Sequence, residues 1–317
     1  FYTLCDREGM LVWAEIPLVG KALDTPEFTE NMKTELTELI RQNFNHPSIF
    51  CWSLCNELSK GDVKGLISEL NSVSHREDPG RLTVLAANVE KRPENAVPDI
   101  MAFNTYPGWY WAEPSEMKST LERWNRQCGN KGIAVSEYGA GANVWHHWQT
   151  GKKTPKADGV FHPEEWQATV HEQTYDAIKR SGFAWGSFVW NMFDFASASR
   201  NEGDMPGMND KGLVSYDRKI RKDAFYFYQS EWSEEPVVHI ASRRDVARRD
   251  SLTDVKVYTN CETVRLKVNG KDCGSPERNG SICIWRKVGL KHGENQVEAF
   301  GHRGGQEFSD RCKWVLF

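Results

Sequence analysis

The stretch Asn45-His46-Pro47-Ser48-Ile49-Phe50-Cys51-Trp52-Ser53-Leu54-Cys55-Asn56-Glu57 decides the fold. Its middle, Ile49–Leu54, is a short apolar run without polar alternation, the pattern of a strand buried on both faces, and it ends on an amide beside a carboxyl. Outward from it the same unit recurs. Strands are expected at Met10–Ile16, Leu82–Ala86, Ile100–Asn104, Ile133–Ser136 and Phe183–Trp190. Amphipathic helices are expected at Thr29–Asn43, Gly61–His75, Pro114–Cys128 and Pro163–Arg180. Alternating strands and helices imply a parallel sheet. A doubly wound sheet and a (β/α)8 barrel both accommodate six strands. Polar and acidic residues at the carboxyl end of strand after strand favour the barrel, whose active site is built there.

The chain of 317 residues is long enough for two domains. With 13 Trp, 15 Phe and 9 Tyr it carries too much aromatic burial for a disordered chain. Its 40 Lys+Arg stand against 44 Asp+Glu, a balance unlike the basic excess of bulk nucleic-acid binders. No window approaches the run of roughly 18 apolar residues that a membrane span needs. Phe1–Gly9 reads as the last turns of a helix closed by glycine, so the chain is expected to be the C-terminal part of something longer. The eight cysteines form no C-x-x-C pair and are read as free thiols.

After Ser230 the texture changes. Val255–Tyr258, Thr263–Val268, Ser281–Trp285 and Gln296–Phe300 alternate apolar with polar, and Asn269-Gly270 is a hairpin turn signal. A β-sandwich over 231–317 is expected to follow the barrel over 1–230. Arg243, Arg244, Arg248 and Arg249 are read as a solvated linker, with an anion-binding patch as the alternative.

Two strand ends carry single glutamates: Glu57, and Glu137 in Ile133-Ala134-Val135-Ser136-Glu137-Tyr138-Gly139. Two carboxyls facing each other across a barrel mouth are what glycoside hydrolysis requires, one to protonate the leaving oxygen and one to attack the anomeric carbon or activate water. Aromatic residues crowd the same strand ends: Tyr106, Trp109, Tyr110, Trp111, Trp145, Trp148 and Trp190. Such rings offer platforms to the apolar faces of sugars.

The segment Asn45–Glu57 closely resembles the acid/base signature of glycoside hydrolase family 2, and Ser136-Glu137-Tyr138-Gly139 resembles its nucleophile motif. Asp6–Pro17, Phe103–Trp109, Phe188–Phe195 and Asn209–Val214 agree, so the resemblance covers most of residues 1–232. It implies an incomplete TIM barrel, its strands 3 to 8, followed by an immunoglobulin-like sandwich. It also implies Glu57 as general acid/base and Glu137 as nucleophile, about 5–5.5 Å apart, acting by double displacement with retention. Glu57 would be the carboxyl kept protonated, by burial and by the charge of Glu137. Asn56, His46, Asn104, Tyr106, Trp190, Asn209 and Lys211 are the implied substrate contacts. The resemblance implies no metal and no cofactor, and an oligosaccharide or glycoconjugate as partner, without nucleic acid or membrane span. Oligomerisation would run through missing or appended domains.

For the sugar, the Asn209-Asp210-Lys211-Gly212-Leu213-Val214 run resembles β-galactosidases that carry this type of sandwich, and β-galactoside is the first expectation. The same Asn-x-Lys element resembles the group that holds the carboxylate of glucuronides, so β-glucuronidase is the alternative, with β-mannosidase a further member of the family. With the first two barrel strands absent, the piece is expected to have little activity alone. Two rivals stand outside the family reading: a non-catalytic carbohydrate-binding protein, which has no need of two facing acids, and a metal-dependent hydrolase, for which only His146-His147 offers adjacent histidines.

Overall fold

The computed structural model describes residues 1–61, 63–148 and 154–317. Asp62, inside the expected helix Gly61–His75, lies outside them. Helix α1 (Tyr2–Glu8) ends at Gly9, whose φ of 66° is the left-handed cap that glycine adopts without a Cβ penalty. Strands β1 (Val12–Glu15), β2 (Val19–Lys21), β3 (Ile49–Lys60), β4 (Leu82–Ala87), β5 (Ala102–Asn104), β6 (Ile133–Tyr138) and β7 (Ala184–Val189) form one parallel sheet. Its order follows the chain, β1-β3-β4-β5-β6-β7, with β2 also pairing with β3. The sheet curls: Trp13 on β1 meets Phe188 on β7 edge to face, with ring centroids 5.4 Å apart, and Phe50 on β3 meets Trp185 on β7 at 6.2 Å.

Burial explains the unbroken apolar runs. Cys51, Trp52 and Leu54, neighbours that face opposite sides of β3, are all fully buried. Helix α2 (Pro26–Asn43) covers the sheet with Met32, Leu36 and Ile40. It begins before the expected Thr29 because Thr25 caps it, accepting from the Phe28 amide at 3.2 Å, and Pro26 fits its first turn. Helices α3 (Lys64–Glu77) and α4 (Met117–Gln127) bury Ile67, Leu70 and Val73, and Met117, Leu121 and Trp124. At the amino end of β3 a buried Asp78 accepts from Trp52 Nε1 at 3.0 Å and from Arg81 at 2.6 Å.

Phe1–Tyr106, Glu116–Tyr138 and Asp176–Val189 form one compact unit. The second comprises Pro107–Ser115, Gly139–Tyr175 and Trp190–Phe317. Helix α5 (Glu164–Lys179) begins in the second unit, which also contains the short ribbon β8 (Phe195–Ala196) with β9 (Met208–Asn209), and helix α6 (Asp223–Trp232). A four-stranded sheet follows, built from β10 (Val238–Ile240), β12 (Leu252–Thr259), β15 (Glu277–Asn279) and β16 (Ile282–Gly289). A five-stranded sheet is built from β11 (Ala247–Arg248), β13 (Thr263–Val268), β14 (Lys271–Asp272), β17 (Gly293–Arg303) and β18 (Gln306–Leu316). Val255, Val257 and Trp285 of one sheet and Leu266, Val297 and Trp314 of the other share one core.

Of the arginine run read as a solvated linker, Arg249 is exposed, but the other three are engaged. Arg248 is buried, with its guanidinium 3.7 Å from the centre of the Trp314 ring, while Arg243 pairs with Asp310 and Arg244 with Glu164. Among the described residues no helix is long and apolar enough to cross a membrane.

Gly139, which follows β6, has φ 154°, and a Cβ there would lie 2.6 Å from the Trp190 carbonyl oxygen and 3.0 Å from His171. Gly139→Ala is expected to lower stability by about 1–3 kcal/mol, read from denaturant midpoints. An unchanged midpoint would contradict this packing.

Candidate functional site

Successive side chains on a regular strand point to opposite faces, yet Asn56 and Glu57 converge on one donor. The Asn104 amide nitrogen donates to Asn56 Oδ1 and to Glu57 Oε1, both at 2.9 Å. Two irregularities bring this about. The β3–β4 register breaks between Ser53 and Asn56, and Glu57 has φ 52°, a left-handed conformation that costs a non-glycine residue about 1–2 kcal/mol. Asn104 is itself fixed: it is buried on β5, and its carbonyl oxygen accepts from Ser136 Oγ on β6 at 2.6 Å.

Glu137, one residue beyond Ser136, accepts from the Tyr106 hydroxyl at 2.5 Å. Burial pushes its carboxyl up to about 7. The Tyr106 hydrogen bond opposes that rise, while the charges of Glu57 and Glu15 add to it. Burial thus acts on Glu137, the carboxyl that the resemblance implies as nucleophile. Glu15 on β1 accepts from Trp13 Nε1 at 3.0 Å and from Ser53 Oγ at 2.6 Å.

The structure thus groups Asn56, Glu57, Asn104, Tyr106 and Glu137 in one unit. It does not bring His46 to them. His46 precedes the amino end of β3, roughly 25 Å of extended chain from Glu57, and its Nδ1 lies 2.6 Å from Asp6, which also accepts from the Ser48 amide. That pairing fastens α1 to the start of β3 and leaves His46 no part in holding sugar.

Trp190, Asn209 and Lys211 belong to the second unit. Trp190 lines a cavity of about 750 Å³ with Phe193, Phe195 and Tyr216. Asn209 Oδ1 accepts from the Lys211 amide at 3.1 Å. The Lys211 ammonium is buried, has no hydrogen-bond partner among the described residues, and lies 5.0 Å from the Tyr110 ring centre and 5.7 Å from that of Trp109. Around it runs a polar network that sequence reasoning missed. Lys222 Nζ donates to Asp194 at 2.8 Å and to the carbonyls of Ala142 and Asp210, and His162 Nδ1 lies 2.6 Å from Asp210. Among the described residues no three His, Cys, Asp or Glu are grouped to hold a metal ion, and His146 and His147 face different partners.

A parallel curled sheet with two glutamates at strand ends fits part of a barrel of the glycosidase type. Comparison with known proteins is specific: residues 1–234 match the TIM barrel domain of glycosyl hydrolases family 2, and the chain belongs to that family. Residues 250–309 match a domain of unknown function, DUF4982. A β-glucuronidase of Bacteroides fragilis is 43% identical over 307 residues, which cover 93% of this chain and 44% of that protein. A solved B. fragilis structure, provisionally assigned as a β-galactosidase, superposes with a TM-score of 0.93 at 34% identity, covering 99% of this chain and 47% of that one. Bacteroides uniformis β-glucuronidase 2, covalently bound to cyclophellitol-6-carboxylate aziridine, superposes with a TM-score of 0.88 at 29% identity, covering 100% and 40%. The chain therefore spans less than half the length of these relatives.

The raised carboxyl has a consequence for stability. Folded Glu137 keeps its proton up to about pH 7, whereas an unfolded glutamate loses it near 4.3, so the folded state binds the extra proton between those values. The stability this group contributes is whole below the lower value and is lost as pH rises through the upper one. Glu137→Gln is expected to raise the melting temperature relative to the parent more at pH 8 than at pH 4.5, by at most about 3 kcal/mol of relative stability. A pH-independent difference would contradict the assigned burial.

Proposed function

We propose that this chain carries the catalytic barrel of a retaining β-glucuronidase. Glu57 protonates the glycosidic oxygen while Glu137 attacks the anomeric carbon, so the exocyclic C–O bond breaks and a glycosyl ester forms on Glu137. Glu57 then takes a proton from water, whose oxygen attacks the same carbon from the face the aglycone left; the ester bond breaks, Glu137 leaves as its carboxylate, and configuration is retained. Asn56 and Asn104, tied to one another, hold the sugar hydroxyls next to the reacting carbon. The Tyr106 hydrogen bond stabilises the ionised form of Glu137. Within the second unit, Trp190 offers an aromatic platform to a sugar ring, and Asn209 and Lys211 offer an amide and an ammonium to a uronate carboxylate. Residues 1–230 are read as the barrel domain and 231–317 as an immunoglobulin-like sandwich.

The observation that carries the choice of sugar is the buried Lys211 ammonium. Lys222 pairs with Asp194 and His162 with Asp210, while the Lys211 ammonium feels the Asp210 charge but makes no hydrogen bond or ion pair among the described residues and lies against the Tyr110 and Trp109 rings. Ring faces supply about 0.5–2 kcal/mol, well short of the several kcal/mol it costs to strip an ammonium of water. A carboxylate from the substrate completes that pairing. The 43% identity to a β-glucuronidase supports the same choice over the β-galactoside first favoured by the motif run.

On aryl β-glucuronide and aryl β-galactoside, kcat/KM is expected to favour the glucuronide at least tenfold, the worth of one charge-assisted hydrogen bond. The reverse order would return the galactoside reading. Because Glu137 must be ionised to attack, kcat/KM should fall below about pH 7, and Tyr106→Phe should move that limb to higher pH. A limb unmoved or moved downward would contradict the role given to Tyr106.

A further inference from the structure

We propose that Asp210 and His162 form a positioning pair that sets sugar specificity by holding the Lys211 ammonium where a substrate carboxylate meets it; this rests on the uronide reading above. Asp210 stands between Asn209 and Lys211 and is fully buried. His162 is equally buried, with Nδ1 2.6 Å from Asp210 Oδ2 and Nε2 3.1 Å from the Lys156 carbonyl oxygen. A carbonyl only accepts, so Nε2 carries a hydrogen. The second nitrogen faces an aspartate that burial pushes up but that the His162 hydrogen bond and the charges of His162, Lys222 and Lys211 hold below its ordinary value. One proton lies between His162 Nδ1 and Asp210 Oδ2, and the two buried side chains act as a single hydrogen-bonded unit. Buried pairs of this kind add little net stability, and their best-attested use is to fix one arrangement among several.

The surroundings are cleared for that carboxylate. A Cβ at Gly141 would lie 2.3 Å from Asp210 Oδ1, and one at Gly203 would lie 2.4 Å from Oδ2. The backbone is held as firmly: the Asp210 carbonyl accepts from Lys222 Nζ at 2.8 Å and from the Ala142 amide at 3.0 Å, while the Lys211 carbonyl accepts from the Asn191 amide at 3.3 Å. With residue 210 pinned at both main chain and side chain, the Cα of Lys211 has one place to be. Trp109 transmits the same constraint sideways, since its ring meets His162 edge to face at 4.6 Å and lies under the Lys211 ammonium. Neither Asp210 nor His162 has a part in the acid/base chemistry of Glu57 and Glu137, so their effect falls on binding.

The test compares two substrates that differ only at C6, 4-nitrophenyl β-D-glucuronide and 4-nitrophenyl β-D-glucoside, on Asp210→Asn, His162→Asn, the double variant and Lys211→Met. Asp210→Asn and His162→Asn are each expected to raise KM for the glucuronide about tenfold, with kcat and the glucoside KM held within about threefold. The double variant should be no worse than either single one, since the two residues act as a unit. If Asp210→Asn does not fold, His162→Asn, with Asp210 intact, gives the KM ratio on its own. Equal changes on both substrates, or a loss confined to kcat, overturn the proposal and make the pair merely structural. If Lys211→Met also changes both substrates alike, the uronide reading itself fails; a selective Lys211→Met beside unselective Asp210 and His162 variants refutes only the positioning role.

Discussion

The side-chain amide of Asn104 ties three strands at the point where the chemistry converges. Its nitrogen holds Asn56 and Glu57 on β3, and its oxygen is held by Ser136 on β6, next to Glu137. A parallel sheet delivers one residue per strand end to a common rim, but pleating would turn Asn56 and Glu57 to opposite faces. The left-handed backbone at Glu57 undoes that alternation, and the hydrogen bonds from Asn104 offset part of its strain. The geometry of Glu57 therefore depends on a neutral amide two strands away.

The second unit meets a different constraint, the presence of charges without water. Lys222, Lys211, Asp194, Asp210 and His162 are all nearly or fully buried. Lys222 collects two carbonyls and a carboxylate, and the Asp210 carboxylate occupies space that Gly141 and Gly203 leave open. Burial is also what lifts Asp194 to about 6 against the pull of Lys222. Arrangements of this kind contribute less to stability than to holding a single conformation. The loop that carries Asn209 and Lys211 is fixed by them.

Much of the sheet was legible because its strands are apolar on both faces and its helices amphipathic. Ile49–Leu54 and Thr29–Asn43 announce themselves, and so does the Gly9 cap. The strand Gln306–Leu316 escaped notice because charged residues fill one of its faces along most of its length. The two glutamates could be read from their place after apolar runs, but no pattern in one dimension exposes the bond from Ser136 to Asn104 or the left-handed Glu57. His46 shows the opposite case: it matches a motif position, yet the eight strand residues Ile49–Asn56 separate it from Glu57, and its partner is Asp6. Lys222 and Asp194 lie in irregular segments, where periodicity carries no information about which carbonyls an ammonium will find.

The central claim is that Glu137 is the nucleophile and that the site accepts a sugar with a carboxylate at C6. The most direct measurement is peptide mapping by mass spectrometry after incubation with cyclophellitol-6-carboxylate aziridine and, separately, with its neutral hydroxymethyl counterpart. The account predicts one adduct, on the peptide containing Glu137, formed faster by the carboxylate reagent. An adduct on Glu57, or equal labelling by the two reagents, would contradict it.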